Sequence, residues 1–309
     1  MKIRPKKVLL YALIVLLITG IAACLGGVGY LYLQERSETD AYRETAQQFT
    51  APSAVIPEAP EPMTDPFPSP QATEEPVMEE ASVYTINADY AALSEINSDV
   101  RGWLCVPETG IDYPVLQCGN NSTYLRRGLD GKYSRSGSAF LDCKIDLSAD
   151  PDVFLIYGHA MGANSDLMFS RLLGYKEQAF LDAHPEIYLS LLPEHAIDGV
   201  QSNTEEGAEY TFRVFAVCLV DAFSEPEIAE HYPVGFEDAD AFAHYVDAQR
   251  SQSIYEISTS GIPEKVLVLS TCANPGQYSD YRLLIYAGLF NEDTNSRLSS
   301  NKPFPNSSR

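Results

Sequence analysis

The chain has 309 residues and a formal net charge of −22, with 43 acidic residues against 21 basic ones. Such a composition argues against a nucleic-acid-binding protein, because phosphate contacts need clustered lysine and arginine. The six cysteines form no CxxC pair and the five histidines show no HExxH spacing, so the sequence predicts neither a metal site nor a cofactor.

The first predicted element is a helix that spans a membrane. Basic side chains are frequent between Met1 and Lys7, and Val8–Leu33 then runs for 26 residues without a charge. About 20 apolar residues are enough to cross a bilayer. Because positively charged flanks stay in the cytoplasm, everything after Leu33 is predicted to lie outside the cell.

Two other interpretations of this segment stay open. A cleaved signal peptide has a shorter apolar core and small residues at its cleavage site. The stretch IAAC at Ile21–Cys24 resembles a lipoprotein box, which would make Cys24 a lipid anchor. The apolar run continues after Cys24, and this favours an uncleaved spanning helix.

The rest of the chain divides by composition into a spacer, one domain and a tail. Residues 34–81 are polar, acidic and rich in proline, with eight prolines in the 26 residues from Ala51 to Pro76. They predict a semi-extended extracellular spacer without a core of its own. Residues 82–290 are expected to form a single domain, and residues 291–309 a flexible polar tail.

Short apolar runs separated by turn residues fill this domain and predict strands. The runs are GWLCVP, DYPVLQC, GSAFLD, DVFLIYGHAM, EIYLSLL, EYTFRVFAVCLV, EKVLVLSTC and YRLLIYAGLF. Eight strands at this spacing are typical of a barrel or a sandwich.

Three helices are predicted among these strands. One lies in DYAALSEINSD, with Leu93 and Ile96 on one face, and one lies near Asp166–Tyr175. The third lies near Glu237–Ser251, where an apolar stripe has helical spacing. That stripe consists of Phe242, Tyr245 and Val246.

Three side chains at strand ends are the candidates for chemistry. Cys272 ends one apolar strand, Arg282 opens the next, and His159 follows the strand FLIY. A cysteine attacks as its thiolate, a nearby histidine can take or share its proton, and an arginine can donate to an oxyanion. Each residue alone is more often structural than catalytic, and spacing does not establish that the three meet.

The remaining cysteines of the domain are predicted to be core residues without a catalytic role. They are Cys105, Cys118, Cys143 and Cys218. A disulfide among them stays open, because the predicted location outside the cell would permit one.

Four segments taken in order resemble the sortase family of cysteine transpeptidases, and class B sortases in particular. They are DVRGWLCVPETGIDYPVLQ, YLRRGLDGKYSRSGSAFLD, VFLIYGHAMGANSDLMFSRLLGY, and the strand ending in LSTC with Arg282 ten residues on. Class B members also carry a long helix before the catalytic strand, as predicted at Glu237–Ser251. The resemblance covers nearly all of Ser82–Phe290.

This resemblance implies a mostly β fold, an eight-stranded sortase β-barrel with a few helices. It implies that Cys272 is the nucleophile, that His159 is the general acid, and that Arg282 stabilises the oxyanion. Family members cleave a C-terminal sorting motif, LPxTG-like or NPxTx-like, after its threonine. The expected partners are surface proteins bearing that motif, or pilins, together with a peptidoglycan precursor or another amine acceptor.

The loop after the nucleophile departs from the family pattern. Class B relatives often have aspartate two residues after the cysteine, and this chain has Asn274 there. An asparagine adds no negative charge, so the imidazolium of His159 is expected to be less stabilised than beside an aspartate. Asn274, Thr271 and Ser270 are the candidate supporting residues.

Two further functions remain as alternatives. A pilin-polymerising sortase would use the same three residues and pass the acyl group to a lysine of another subunit. A wall-binding module on a stalk would be no enzyme, but it would have no reason to keep Cys272, His159 and Arg282 together.

Overall fold

The computed structural model describes residues 5–53, 85–162, 164–192, 208–222, 231–233, 235–273 and 281–290. The helices are α1 (Pro5–Phe49), α2 (Tyr90–Ile96), α3 (Gln178–Ala183) and α4 (Ala239–Ser251), and 3-10 helices occupy Thr123–Leu125, Leu147–Ala149 and Phe169–Lys176. The strands are β1 (Thr50–Ser53), β2 (Thr85–Ala88), β3 (Val100–Val106), β4 (Ile111–Leu116), β5 (Ala139–Leu141), β6 (Val153–Tyr157), β7 (Glu186–Leu191), β8 (Ala208–Asp221), β9 (Lys265–Cys272) and β10 (Tyr281–Leu289).

Strands β3 to β10 close into one barrel, in the order β10-β8-β7-β3-β4-β5-β6-β9. The pairs β4–β5 and β6–β9 are parallel, and the other neighbours in the barrel are antiparallel. The predicted eight-stranded barrel is therefore confirmed, and each of its strands coincides with one apolar run of the sequence. Strands β1 and β2 pair separately as a two-stranded sheet.

Alternate residues of the barrel strands fill its interior. All eight strands contribute to this interior cluster, for example through Leu104, Phe154, Leu269 and Ile285. Side chains on successive residues of a strand point to opposite faces of the sheet. The intervening residues therefore lie on the outside of the barrel, where many of them are also apolar and need a cover.

Two covers bury these outer apolar residues. Helix α4 packs over β6, β8, β9 and β10 through Phe242, Tyr245 and Val246, as its apolar stripe predicted. The end of α1, the β1–β2 sheet and α2 cover the other side around Trp103. Helix α4 covers the outer apolar residues of β6, β9 and β10, and the strand ends near Tyr157, Cys272 and Tyr281 lie beyond these residues.

The structure refines two of the predicted helices. Leu93 of α2 is fully buried, whereas Ile96 on the same face of the helix is 45% exposed. Ile96 is the last residue of α2 and lies about 60° around the helix from Leu93, beyond the covered surface. The helix predicted near Asp166–Tyr175 is a 3-10 helix, Phe169–Lys176.

The expected spacer begins later than predicted. Helix α1 runs without a break from Pro5 to Phe49, so residues 34–49 are helical and not semi-extended. This segment contains no proline, and ten of its 16 residues are alanine, arginine, glutamate or glutamine, which favour a helix. The proline-dense part starts only at Pro52, and residues 54–81 of the expected spacer lie outside the described residues.

Helix α1 also contains the candidate membrane span. It is long and apolar enough to cross a bilayer, with a mean hydropathy of 2.2 in its most apolar window and none of that window buried. Its far end is different, since Ala46 and Phe49 are buried against the domain. One helix therefore joins the candidate span to the barrel.

All six cysteines are free thiols in the structure. Cys105 and Cys218 are buried, as expected of core residues, and burial raises the pKa of the Cys218 thiol to about 12. Cys118, Cys143 and Cys272 are half-buried.

Candidate active site

Cys272 and Arg282 face each other across two neighbouring strands. They are direct partners in the antiparallel register of β9 and β10. Directly opposed residues in such a pair have Cβ atoms about 4.5–5.5 Å apart. The spacing of ten residues in the sequence thus becomes a side-by-side placement in space.

His159 reaches the same place from the other side of β9. Strand β6 runs parallel to β9 with Tyr157 opposite Ser270, and the amide of Gly158 donates to the Ser270 carbonyl at 3.2 Å. His159 and Cys272 each follow these partners by two residues, so they lie level with each other. The barrel therefore places Cys272 and Arg282 on adjacent strands, and His159 lies two residues past the end of β6 on the other side of β9.

Cys272 and Arg282 have the alternation of the outer face, and His159 follows a strand whose outer residues belong to the same face. Leu155 of β6, Val268 of β9 and Leu284 of β10 belong to the outer apolar cluster beneath α4. Cys272 stands four residues after Val268 and Arg282 stands two residues before Leu284, while His159 follows Leu155 by four residues, just past the end of β6. The candidate site is thus the continuation of the α4-covered face toward the rim of the barrel.

The imidazole of His159 is oriented by a carbonyl. Its Nε2 lies 2.9 Å from the carbonyl oxygen of Leu125, and since a carbonyl only accepts, Nε2–H is the donor. Nδ1 is then the ring nitrogen that gains or loses a proton. The main chain of His159 is fixed as well, because its carbonyl accepts from the amide of Phe169 at 2.9 Å.

Burial lowers the pKa of His159 below its ordinary value. The hydrogen bond to Leu125 opposes this change, and the charges of Arg126 and Arg282 reinforce it. Neutral imidazole is consequently the main form at neutral pH. Because the charge of Arg282 acts on His159, the side chains of His159 and Arg282 lie near each other.

Tyr232 completes the wall beside the three candidates. Its hydroxyl lies 2.8 Å from Oγ of Ser270, and its ring packs edge-on against Tyr157 with centroids 5.9 Å apart. Burial raises the pKa of Tyr232, and the nearby charges of Arg282 and Cys272 act on it in opposite directions. Tyr232 is therefore a neutral phenol next to the cysteine and the arginine.

Lys176 secures the main chain directly after the cysteine. Its ammonium group donates to the carbonyl of Ala273, whose own amide donates to the Tyr281 carbonyl at 3.1 Å. Lys176 ends the same 3-10 helix whose first residue, Phe169, binds the main chain of His159. One short helix thus holds both His159 and the backbone that follows Cys272.

The candidate supporting residues fall in different places. Ser270 lies on the outer face, two residues before Cys272, and binds Tyr232. Thr271 has the alternation of the barrel interior and is 2% exposed, so it does not share a face with Cys272. Asn274 lies outside the described residues, as do Pro275 and Gly276.

Sequence reasoning singled out neither Tyr232 nor Lys176. Tyr232 is one of 19 tyrosines and stands in a segment without periodicity, so only its fold position distinguishes it. Lys176 resembles any charged residue at the end of a helix.

Comparison with known proteins agrees with this arrangement. A family model described as a sortase domain matches residues 104–290. Sortase B of Listeria monocytogenes is 30% identical over 200 residues, which cover 64% of this chain and 72% of that protein. Sortase B of Staphylococcus aureus is 24% identical over 203 residues, which cover 65% of this chain and 75% of that protein.

A solved structure shares the fold. Sortase B of Clostridium perfringens superposes with a TM-score of 0.55 and 26% identity, over 65% of this chain and all of that one (100%). The matched family model spans seven of the eight barrel strands completely and includes His159, Cys272 and Arg282. The chain belongs to the sortase family of cysteine transpeptidases and, within it, to class B.

Proposed function

We propose that this protein cleaves a C-terminal sorting motif of surface proteins, LPxTG-like or NPxTx-like, after its threonine and transfers the acyl group to a cell-wall amine. The observation that carries this proposal is the register that sets Arg282 opposite Cys272, with His159 two residues past the end of β6, the strand that pairs with the other edge of β9. Such a row offers a nucleophile, an acid and a fixed cation to one carbonyl group.

In the first half-reaction the Cys272 thiolate attacks the carbonyl carbon of the threonine. The carbonyl electrons move to oxygen, and the guanidinium of Arg282 stabilises the resulting oxyanion. His159 gives a proton to the nitrogen of the scissile amide while the C–N bond breaks. The products are a thioester on Cys272 and a free amine.

In the second half-reaction an acceptor amine attacks the thioester. His159 takes the proton that this amine loses, and the tetrahedral intermediate expels the Cys272 thiolate. A new amide bond has then replaced the thioester, and both His159 and Cys272 have their starting charges. No oxidant or reductant is needed.

The electrostatics of His159 make the reactive pair scarce. The thiolate and the imidazolium must be present together, yet burial lowers the pKa of His159 and disfavours the imidazolium. We expect Asn274→Asp to add a stabilising negative charge and to raise the pKa of His159. An unmoved pH–rate profile for this variant would remove Asn274 from the mechanism.

The proposed location follows from the N-terminal helix. Helix α1 would cross the membrane with the basic residues before Val8 in the cytoplasm, which leaves the catalytic domain outside. Sorting-motif substrates and cell-wall amines lie on that side. Labelling of the domain by a membrane-impermeant reagent on intact cells would test this orientation.

The test of function uses the full-length chain in detergent micelles. It is incubated with a panel of sorting-motif peptides and analysed by mass spectrometry for an acyl thioester on Cys272. Cys118→Ala serves as a matched control, because Cys118 is a half-buried free thiol that packs against the cluster around Trp103. If no peptide acylates Cys272, the proposed reaction is wrong.

Acceptor amines separate the two versions of the transfer step. After acylation, a wall-precursor amine and a lysine-bearing pilin segment are added in parallel. Release of the acyl group to the wall amine supports the proposal, and release only to the lysine would favour the pilin-polymerising alternative.

A further inference from the structure

The last third of helix α1 forms hydrogen bonds with a loop of the catalytic domain. The carboxylate of Glu38 accepts hydrogen bonds from the amides of Ser136 at 3.1 Å and Arg135 at 3.2 Å, and from the Ser134 hydroxyl at 3.3 Å. Hydrogen bonds to a charged acceptor are stronger than those between neutral groups. Glu38 thus binds three consecutive residues of the loop between β4 and β5.

Tyr42 adds a second contact one helical turn further on. Its hydroxyl donates to the carbonyl of Gly137 and lies 3.4 Å from Oγ of Ser138. Its ring packs edge-on against Tyr113 of the barrel, with centroids 5.4 Å apart. Residues four apart lie on one face of a helix, so Glu38 and Tyr42 act on the loop together.

The part of the loop that contacts α1, residues 134–138, is hydrogen-bonded to residues 124–126, which lie beside His159. The amide of Ser138 donates to the Tyr124 carbonyl at 3.0 Å, and the amide of Ser134 donates to the Arg126 carbonyl at 3.0 Å. The Arg126 guanidinium in turn donates to the carbonyl of Arg135 at 2.7 Å. The two halves of the loop therefore form one cross-linked unit.

Gly137 permits this close approach. It has a positive φ of 62°, and a side chain there would collide with the main chain at Tyr124 and Leu125. Leu125 is the residue whose carbonyl accepts from His159. A continuous chain of contacts thus leads from α1 to the imidazole, through residues 134–138 and 124–126.

We infer that Glu38 and Tyr42 are positioning residues, which hold the Leu125 carbonyl against His159 and make the end of α1 part of the catalytic framework. This inference rests on the proposed function in one respect, namely that His159 is the general acid. It gives residues 34–49 a role beyond spacing the barrel from the membrane. An exposed stalk would need no carboxylate bound to three loop donors.

The groups that act on His159 fix the direction of the expected effect. The Leu125 hydrogen bond raises the pKa of His159, whereas burial and the charges of Arg126 and Arg282 lower it. If the loop loses its hydrogen bonds to α1, the hydrogen bond between His159 and the Leu125 carbonyl weakens. Burial and the two arginine charges then still lower the pKa. The pKa of His159 then falls, and the imidazolium becomes scarcer.

The decisive variants are Glu38→Ala, Glu38→Gln and Tyr42→Phe in the full-length chain. Glu44→Ala is the matched control, because Glu44 is an exposed carboxylate on the same helix. We expect about a ten-fold lower kcat/KM for Glu38→Ala, since displacing a catalytic group by about 1 Å can cost up to 100-fold. Glu38→Gln keeps one acceptor oxygen and should recover part of the loss, while Tyr42→Phe should lose less.

Two further readouts distinguish positioning from a structural role. The limb of the pH profile set by His159 should move to lower pH in Glu38→Ala, and so should its titration measured by NMR. Hydrogen exchange of the amides at residues 134–136 should become faster. Glu44→Ala should match the wild type in every respect.

Faster exchange with unchanged kcat/KM and unchanged His159 titration would overturn the inference, because Glu38 would then only stabilise the loop. Failure of the proposed function is recognised separately, as a wild-type chain that no sorting peptide acylates. In that event the NMR titration of His159 in Glu38→Ala still decides whether α1 positions the imidazole.

Discussion

The two faces of strands β6, β9 and β10 share one backbone but carry different side chains. Inward residues such as Leu269 and Ile285 pack in the apolar cluster of the barrel interior. Outward residues begin as apolar positions under α4 and end with His159, Cys272 and Arg282 at the rim. The difference teaches that the interior fixes the strand register, and that the register in turn places the chemistry.

Replacement of the proposed nucleophile should have the greatest effect on activity. Cys272→Ala removes the thiol that is proposed to form the thioester, so transpeptidation should fall by at least about 10⁴-fold. The residue is half-buried at a strand end, so the thermal midpoint should barely change. Peptide turnover and a melting curve check both parts, and residual thioester formation would show that another thiol reacts.

Arg282→Lys should come next. Lysine keeps the charge but lacks the planar set of donors. Loss of one oxyanion donor costs about 2.7–4 kcal/mol of transition-state stabilisation, which corresponds to a rate reduction of about 100- to 1,000-fold. Arg213→Lys is the control, because Arg213 forms an exposed ion pair with Glu186 at the start of the neighbouring strand. Near wild-type turnover of Arg282→Lys would remove Arg282 from the mechanism.

An inward residue of β9, the strand of Cys272, should affect stability more than activity. Leu269 is fully buried, three residues before Cys272, so Leu269→Ala should reduce the free energy of unfolding by about 2–5 kcal/mol. The folded fraction should still acylate Cys272 at close to the normal rate. Chemical unfolding and active-site titration separate these quantities, and a large loss of acylation per folded molecule would contradict the division between faces.

The pH dependence tests the environment of His159. Its folded-state pKa is lowered from the usual value of about 6.5, chiefly by burial. The unfolded chain therefore binds more protons at this site, so the contribution of His159 to stability is present above about pH 6.5 and is lost as the pH falls. The limb of the kcat/KM profile that reports His159 should also lie below about pH 6.5. A His159→Gln chain should lack this part of the stability change.

A smaller effect is expected at Tyr232. Tyr232→Phe removes the hydroxyl that lies 2.8 Å from Oγ of Ser270 but keeps the ring against Tyr157. A typical intramolecular hydrogen bond contributes about 0.5–1.5 kcal/mol, so stability and kcat/KM should each fall only modestly. A loss as large as that of Arg282→Lys would show that the hydroxyl itself contacts the reacting groups.

The strands and their inward residues were predictable from the sequence. Each apolar run became a strand, and the stripe of Phe242, Tyr245 and Val246 became the buried face of α4. Local patterns suffice here because alternation and helical spacing directly report which face is buried. The order LSTC and then Arg282 also led to the family, which implied the barrel.

The relative positions of side chains that are distant along the chain could not be predicted from the sequence. The parallel pairing of β6 with β9 sets His159 level with Cys272, and this depends on barrel closure between segments more than 100 residues apart. The hydrogen bond from the Arg135 amide to Glu38 likewise joins distant segments. Because local composition does not report such a contact, the sequence predicts residues 34–49 as part of the proline-rich spacer. Tyr232 gains its position only from the same closure.

The most direct measurement is the single-turnover rate of Cys272 acylation in a double-mutant cycle of His159→Ala and Arg282→Ala. If these residues act as one unit on the outer face, the double variant should be at most about ten-fold slower than the slower single variant. If the two losses multiply fully, His159 and Arg282 act independently, and the row of three side chains is not a single catalytic site.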